Sequence, residues 1–230
     1  MIEITGLTKV FGAQQAVNSV TATFPAGSVT ALLGLNGAGK TTLLRLIAGL
    51  DRPDHGAVTI CGRQPSGDPQ LVGAHLGPGA GNPRHTVWRH LCWLAALAGT
   101  ARPRVTEVLD ETGLRAARSH RIGTLSLGAR QRLAIAGALL CRPRALLFDE
   151  PLNGLDVPGV IWFRGLLQQV SDAGCTVVVA THMLGEVVLT ADRIAILDGG
   201  RLRVAGTLKD AIPTDAEGRE WLESTLMECG

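Results

Sequence analysis

Residues Gly34 to Thr41 read GLNGAGKT, and this stretch decides the fold because it fits the spacing G-x-x-x-x-G-K-[ST]. The apolar run Val29–Leu33 leads into it and the helix-prone run Thr42–Ala48 follows it, so the sequence predicts a strand, a glycine loop and a helix. Glycines let the backbone N–H groups of such a loop turn inward toward a phosphate, and the helix N-terminus adds its positive end. We therefore expect a nucleoside triphosphate here, with Lys40 on the β- and γ-phosphates and the Thr41 hydroxyl on Mg²⁺.

Two acidic residues, Asp149 and Glu150, directly follow the apolar run Ala145–Phe148. A short continuous apolar run is typical of a strand that is buried on both faces of a sheet, and ligands of open parallel sheets bind beyond the carboxyl ends of the strands. We expect Asp149 to hold Mg²⁺ through water and Glu150 to polarise an attacking water molecule. Taken alone, the pair also fits an exposed acidic turn at the end of a strand.

Three further positions are candidates for which the residues alone leave a structural alternative open. Ser126 fits a helix N-cap, and a helix start of this kind can also receive a phosphate. His182 follows the apolar run Thr176–Ala180, where it either senses a γ-phosphate or is a structural histidine. Phe11 either stacks on a base or packs in the turn that contains it.

Strand-like and helical runs alternate along most of the chain, which predicts a largely parallel sheet with right-handed crossovers. Helical segments after the glycine- and proline-rich stretch Gly77–Pro83 indicate a helical insertion. Thr214 and Glu217 have the spacing of a capping box and predict a tail helix that ends at Glu228. Residues 1–33 read as β, with strand-like runs at Thr21–Phe24 and Ser28–Leu33. We also expect strands at 57–61, Ile194–Leu197 and Leu202–Val204, and helices over Thr86–Ala98, the segment ended by Gly113, and Pro158–Ser171.

Composition and charge argue against several classes of protein. The chain has 230 residues, of which 46% are hydrophobic, so one good core and a small subdomain are expected. A net charge of +2 argues against nucleic acid as a partner, because nucleic-acid binders carry a basic face. The five cysteines lack C-x-x-C spacing, which favours reduced thiols in a cytosolic protein. No uncharged apolar run approaches ~20 residues, so work at a membrane would require docking on another chain.

Taken in order, these pieces resemble the ATPase subunit of an ABC transporter, over about residues 2–208. Phe11 matches the position where the family stacks an aromatic ring on adenine. The resemblance rests on the order and rough spacing of five motifs: Walker A at Gly34–Thr42, the signature at Leu125–Arg132, Walker B at Leu146–Pro151, the D-loop at Asn153–Asp156 and the switch histidine at Thr181-His182.

The resemblance implies an α/β fold, namely a P-loop NTPase of ABC type. Its core would be a mostly parallel sheet, with an N-terminal antiparallel β subdomain and a helical insertion. Residues 1–230 would form a single ABC ATPase domain, in which 1–78 and 121–208 form the core with its β subdomain, 79–120 form the helical subdomain and 209–230 form a helical tail.

The same resemblance assigns roles residue by residue. It implies catalytic roles for Glu150, His182 and Lys40, and contacts with Mg²⁺ for Thr41 and Asp149. It assigns ATP binding to Phe11, Leu35, Asn36, Gly37, Ala38, Gly39, Lys40, Thr41 and Thr42. Ser126, Leu127 and Gly128 of the signature would contact the ATP held by a partner subunit, and Asp156 would belong to the D-loop.

The resemblance also implies partners. Family members pair head to tail around two ATP molecules, so we expect a second ATPase subunit, with a homodimer as the simplest form. An integral membrane permease would convert the ATP cycle into transport, which would place this chain on the cytoplasmic face of the membrane as a peripheral subunit. The segments Asn153–Asp156, Leu184–Val187 and Trp221–Leu226 are similar to bacterial multidrug and bacitracin-resistance exporters, in which ATPase and permease are separate chains. We therefore expect export.

Some residues depart from the family pattern. In the signature, which commonly reads L-S-G-G-Q, Leu127 replaces the first Gly and Ala129 replaces the Gln. Gly77 stands where a Gln or an acidic residue usually follows the strand near 72–76. These departures motivate an alternative, a degenerate or regulatory subunit that uses ATP as a dimerisation switch. A third hypothesis is a soluble ABC-type ATPase that acts on nucleic acid or protein assemblies. Such proteins usually have tandem ATPase domains or long coiled-coil insertions, and this sequence shows neither.

Overall fold

The computed structural model describes residues 1–77, 81–211 and 218–228. In these ranges the β-strands are β1 (Ile2–Phe11), β2 (Gln14–Phe24), β3 (Ser28–Leu33), β4 (His55–Ile60), β5 (Val72–Leu76), β6 (Ala145–Asp149), β7 (Thr176–Ala180), β8 (Arg193–Asp198) and β9 (Arg201–Thr207). The α-helices are α1 (Lys40–Ile47), α2 (Val87–Leu97), α3 (Arg102–Glu111), α4 (Leu127–Leu139), α5 (Val157–Asp172), α6 (Leu184–Thr190), α7 (Leu208–Ala211) and α8 (Gly218–Glu228).

The central sheet has the strand order β5-β6-β7-β3-β8-β9, in which all neighbours are parallel except β8 and β9. Strands β3 and β7 are buried along their whole length. This explains their continuous apolar sequences, since helices cover both faces of a parallel sheet. The order places β3 between β7 and β8, so the loop after β3 opens beside the ends of β6 and β7. The predicted mostly parallel core is thereby confirmed.

A smaller antiparallel sheet, with the order β2-β1-β4, packs beside the core. The sequence reads as β over residues 1–33, with a strand-like run at Thr21–Phe24, and β2 begins at Gln14. The polar residues at its start have no alternating pattern, because the pairing of β1 with β2 contains register shifts that interrupt the period of two. Tertiary pairing rather than local propensity therefore extends this strand.

The helical insertion contains α2 and α3, as the leucine and valine spacing predicts. Thr86 caps α2 by accepting a hydrogen bond from the backbone N–H of Arg89, at 3.1 Å. Val87, Leu91 and the apolar residues of α3 join one core cluster with Phe148 and other core residues. Residues 79 and 80, at the predicted start of the insertion, lie outside the described ranges, and the domain boundaries stay a prediction.

The tail helix α8 begins at Gly218 and ends at Glu228. The predicted capping residues Thr214 and Glu217 lie outside the described residues. Leu222 of α8 is fully buried in a cluster with Val187 of α6, which fixes this helix against the core. In the described part of the chain, no helix combines the length and apolarity that crossing a bilayer requires.

Candidate nucleotide-binding and hydrolysis site

The glycine loop joins β3 to α1 and needs glycine for steric reasons at two positions. Gly34 has φ +149° and Gly39 has φ +102°, both in the left-handed region that side chains rarely adopt. A Cβ atom at Gly34 would lie 2.2 Å from the carbonyl oxygen of Leu197, and one at Gly39 would lie 2.1 Å from that of Ala16. The loop is therefore wedged between β8 and β2, and Gly39 precedes the first residue of α1.

Lys40 is the first residue of α1, and its side chain turns back over the loop. Its ammonium group donates hydrogen bonds to the carbonyl oxygens of Gly34, at 2.6 Å, and Leu35, at 3.1 Å. Burial lowers the pKa of Lys40, and the nearby carboxylates of Glu150 and Asp149 oppose that shift. The cation is thus held among backbone oxygens at the helix N-terminus, where a phosphate would bind.

Thr41 and Asp149 meet across the loop, since the Thr41 hydroxyl donates a hydrogen bond to the Asp149 carboxylate at 2.6 Å. Thr41 lies in the first turn of α1 and Asp149 ends β6, so the contact depends on the long-range fold. Hydroxyl and carboxylate oxygens are the hard donors that Mg²⁺ prefers, and Mg²⁺ is usually held by one or two such groups together with substrate phosphates. The pair therefore fits a metal ion that arrives with a nucleotide.

Glu150 follows β6 with an unusual backbone conformation. Its φ is +50°, in the left-handed region, which costs a non-glycine residue about 1–3 kcal/mol unless its surroundings hold it there. Its backbone N–H donates to the carbonyl oxygen of Ala180, at 2.9 Å, which ties it to the end of β7. Its carboxylate lies 2.8 Å from Nδ1 of His182. The predicted carboxylate and histidine are therefore in direct contact.

Lys40, Thr41, Asp149 and Glu150 line one cavity of about 850 Å³ at the carboxyl edge of the central sheet. Phe11 stands at its rim, 51% exposed, with the Lys9 ammonium 5.4 Å from the centre of its ring. A half-exposed aromatic ring can stack on a base, whereas a core residue would be buried. The predicted residues that line the cavity are Phe11, Asn36, Gly37, Gly39, Lys40, Thr41, Thr42, Leu127, Asp149 and Glu150.

Comparison with known proteins identifies the family of the chain. The sequence pattern of the family described as ABC transporter matches residues 17–153, which is more than half of the chain. The chain belongs to the ABC transporter family. It is accordingly an ATP-binding, ATP-hydrolysing subunit of a transporter.

Named relatives of this ABC protein cover most of its length. It is 37% identical over 215 residues to the uncharacterized ABC transporter ATP-binding protein YdbJ of Bacillus subtilis (strain 168), covering 91% of this chain and 70% of that one. It is 36% identical over 214 residues to the daunorubicin/doxorubicin resistance ATP-binding protein DrrA of Streptomyces peucetius, covering 90% and 65%. It is 37% identical over 209 residues to the aliphatic sulfonates import ATP-binding protein SsuB of Rhodopseudomonas palustris (strain ATCC BAA-98 / CGA009), covering 87% and 72%. The relatives thus include proteins named for resistance and for import.

Solved structures agree with this assignment. An ATP binding subunit of an ABC transporter superposes with a TM-score of 0.88 at 26% identity, covering 97% of this chain and 98% of that one. A dimeric post-hydrolysis state of the ATP-binding cassette MJ0796, bound to ADP and Pi, superposes with a TM-score of 0.81 at 26% identity, covering 90% and 98%. The predicted fold class, a P-loop NTPase of ABC type, is confirmed.

The signature segment and the D-loop of this ABC protein pack against each other. Ser126 caps α4 by accepting a hydrogen bond from the Ala129 N–H at 3.2 Å, so the N-cap prediction agrees with the structure. Leu127 lies over Gly154, where an added Cβ atom would come within 2.4 Å of the leucine side chain. The predicted residues outside the cavity lining are Leu35, Ala38, Ser126, Gly128, Asp156, which caps α5, and His182, which reaches the site through Glu150.

Sequence analysis missed one buried polar residue of the cavity wall. His75 lies in β5, is only 4% exposed, and lines the cavity together with Gln131 of α4. The signal in the sequence is a single histidine inside an otherwise apolar strand, which by itself is typical of an ordinary core residue. Gly77 follows β5 directly and also lines the cavity, as its expected position predicts, and it adds no side chain there.

Proposed function

We propose that this ABC subunit hydrolyses MgATP to drive export through a separate integral membrane permease, working as a head-to-tail homodimer. The observation that carries the proposal is the contact between Glu150 and His182 beside Lys40 and the Thr41–Asp149 pair. These groups stand at the carboxyl edge of a parallel sheet, where a triphosphate, a metal ion and a water molecule would meet.

Each group has a separate chemical task in this proposal. Lys40 and the loop N–H groups bind and orient the phosphates, since phosphoryl transfer depends on positioning and charge stabilisation. Thr41 and Asp149 would hold Mg²⁺, which supplies charge neutralisation on the phosphate oxygens when it is bound. The Glu150 carboxylate orients the attacking water and accepts its proton, while His182 fixes that carboxylate.

The proposed dimer rests on helix-end residues outside the cavity lining and on exposed apolar residues near the predicted nucleotide-binding motifs. Ser126 and Gly128 lie outside the cavity lining, at the N-terminus of α4. A helix N-terminus presents backbone N–H groups and a positive end, which suit a phosphate group. Leu35, Leu127 and Val157 are exposed apolar residues, at 51%, 64% and 73%, near the glycine loop, the signature and the D-loop. A second copy would cover them, and the dimeric state of the MJ0796 cassette supports this arrangement.

A groove of about 500 Å³ supports the proposed contact with a permease. It lies between β5, α2 and α4, and we call it the β5–α2 groove; its lining includes His75, Gly77, Gly81, His90, Trp93 and Leu133. Trp93 is 52% exposed, and exposed aromatic residues beside a groove are typical of protein interfaces. A cytoplasmic segment of a permease would bind here and hold the subunit at the inner face of the membrane.

The direction of transport is proposed from sequence similarity to resistance-type exporters, among them DrrA. The similarity to SsuB, a protein named for import, is of equal strength, so the direction needs its own experiment. Cells that lack this chain should accumulate more of a toxic amphipathic compound if the transporter exports. A growth defect restricted to one nutrient would instead indicate import.

The subunit proposal is tested by purification of the tagged chain from detergent-solubilised membranes. We expect a multi-span membrane protein to co-purify and the complex to release phosphate in the presence of MgATP. ATP-dependent dimers with no phosphate release would favour the alternative in which ATP is a dimerisation switch. Recovery of the chain with soluble assemblies alone would contradict the transport role.

A further inference from the structure

His75 is a buried polar side chain in the middle of an apolar strand. It is 4% exposed, and the parallel register of β5 with β6 places it beside Phe148, one residue before Asp149. A buried polar group requires a hydrogen-bond partner, because leaving it unpaired costs free energy of desolvation. The partner of this imidazole therefore shows what the residue is for.

Gln131 of α4 lines the same cavity wall as His75. Burial lowers the pKa of His75, and a side-chain hydrogen bond with Gln131 opposes that shift. The amide nitrogen of Gln131 donates to the carbonyl oxygens of Pro151, at 2.8 Å, and Glu150, at 3.4 Å. Only the NH₂ end of an amide can donate to a carbonyl group, so the amide oxygen remains to accept from the imidazole. The lowered pKa of His75 favours the neutral ring, and a neutral ring still has one N–H to donate.

This chain of hydrogen bonds ends on the most strained residue of the hydrolysis site. Glu150 has φ +50°, and a strained backbone of this kind persists only where neighbouring groups fix it. Its N–H is fixed by Ala180, and its carbonyl group and that of Pro151 are fixed by Gln131. Releasing Gln131 would let this turn relax and move the carboxylate away from its position beside His182.

His75 also stands between two concave surfaces. Of the described residues, His75, Gly77 and Gly81 line both the nucleotide cavity and the β5–α2 groove. His75 is the one of these three that has a side chain. Gly77, which directly follows β5, has no side chain, and among the described residues other than its chain neighbours no atom lies within 4 Å of where its Cβ would stand.

We propose that His75 is a positioning residue for hydrolysis, which acts through Gln131 to fix the Glu150–Pro151 main chain and thereby links the β5–α2 groove to the reacting carboxylate. The part that concerns hydrolysis rests on the chain being an active ATPase with Glu150 as the reacting carboxylate, and the link to the groove rests on the proposed permease contact. In this protein the His75 side chain links the β5–α2 groove to the nucleotide cavity, which Gly77 cannot do because it has no side chain.

The test measures turnover and MgATP binding of the isolated subunit. We expect His75→Leu to lower kcat about tenfold, which corresponds to about 1.4 kcal/mol of transition-state stabilisation, with the Kd for MgATP unchanged. His75→Gln should restore most of the activity, because its amide can again donate to Gln131. Gln131→Met should lower kcat by a similar factor. The double variant should be no slower than the slower single variant, since both act through one contact.

Thr112→Val is the matched control, because Thr112 is a fully buried polar residue outside both concave surfaces. Among the described residues, its hydroxyl donates only to the carbonyl oxygen of Val108 in α3, so Thr112→Val should lower the free energy of unfolding without lowering kcat. Wild-type kcat in His75→Leu, failure of His75→Gln to restore activity, or additive effects in the double variant would overturn the proposal. If His75→Leu does not fold, a normal kcat in Gln131→Met overturns it. A wild-type subunit without turnover would refute the ATPase function itself.

Discussion

At the scale of single residues, the proposed hydrolysis step depends on the carboxylate of Glu150. Glu150→Gln keeps the size of the side chain but removes the charge that polarises water, so we expect turnover to fall about 10²–10⁴-fold. MgATP binding should be retained, because Lys40 and the loop N–H groups are intact, and ATP-bound dimers should accumulate. Phosphate release measures turnover, and isothermal titration calorimetry measures binding.

Glu3→Gln is the matched control for this variant. Glu3 lies on β1, is exposed, and is outside the cavity lining, so the same chemical change there should leave turnover intact. If Glu150→Gln hydrolysed ATP as fast as Glu3→Gln, another group would have to activate the water. If Glu150→Gln instead lost MgATP binding, the residue would serve the nucleotide and not the reaction.

Single residues of the site differ in how well the sequence predicts them. Lys40, Thr41 and Glu150 are predictable because loop geometry and strand ends impose fixed spacings on phosphate-binding and water-activating groups. His75 is not, since its contact with Gln131 joins residues that are distant in the sequence, and no spacing records it. The left-handed backbone of Glu150 was also not predictable, because nothing local favours it.

The start of α4 and the D-loop form one packed unit at the scale of elements. Gly154 has φ +84°, and an added Cβ would lie 2.4 Å from the Leu127 side chain. We expect Gly154→Ala to lower the free energy of unfolding by about 1–3 kcal/mol, from backbone strain together with this overlap. Adding Leu127→Ala should recover the part due to overlap. Urea unfolding measures both values.

Gly174→Ala separates the two causes of this loss. Gly174 has φ +87°, nearly the same as Gly154, and nothing lies within 4 Å of where its Cβ would stand. It therefore reports backbone strain alone. Equal losses of unfolding free energy in Gly154→Ala and Gly174→Ala would show that the Leu127 side chain moves aside at no cost in stability. The packing of the signature against the D-loop would then contribute little to stability.

An ion pair secures the segment that follows α1. Arg45 of the last turn holds Asp51 through two hydrogen bonds, of 2.7 Å and 2.8 Å. These bonds lower the pKa of Asp51 below its ordinary value of 3.8. The folded-state pKa is thus below the unfolded one, so the pair stabilises the fold above the unfolded pKa and loses this effect as pH falls through the folded pKa.

We expect Asp51→Asn to lower the free energy of unfolding at pH 7 by an amount that shrinks once the pH falls below the ordinary Asp pKa of 3.8. Urea unfolding from neutral to acid pH measures the difference from wild type. Asp172→Asn is the control, because the partner of Asp172 is the neutral amide of Gln168. A difference for Asp51→Asn that stayed constant with pH would show that the charge of Asp51 is not involved.

Elements with a regular pattern are predicted best by the sequence. The apolar run of β7 gave its bounds, Thr176–Ala180, and the leucine spacing placed α2 within one residue at each end. The sequence reads as β around the start of β2 but does not fix the residue at which the strand begins, and the helix α6 was not predicted. β2 pairs through register shifts that hide its alternation, and α6 is a short amphipathic helix of which only Val187 is buried. Such elements take their form from the core against which they pack.

At the scale of the whole molecule, the two concave surfaces meet at β5, where His75 lines both. The nucleotide cavity lies at the carboxyl edge of the sheet, and the β5–α2 groove lies between the sheet edge and the helical insertion. Sequence patterns predicted both the core and the insertion, but the short distance between the two surfaces depends on how α4 packs on β5. A partner in the groove would therefore act within a few side chains of the hydrolysis site.

The exposed arginines beside the β5–α2 groove test the permease contact. Arg84 and Arg89 are exposed, and in the sequence they lie between the groove-lining residues Gly81 and His90, so we expect a permease segment bound there to meet their charges. We expect Arg84→Glu and Arg89→Glu to lower co-purification with the membrane permease about tenfold, as loss of interface charge pairs typically costs a few kcal/mol or less. Arg102→Glu is the control, because Arg102 is exposed on α3, a helix that contributes no residue to the groove lining, whereas α2 contributes three. If all three variants retained the permease equally, the contact would lie on another face; if all three lost it together with their folded structure, the arginines would serve stability.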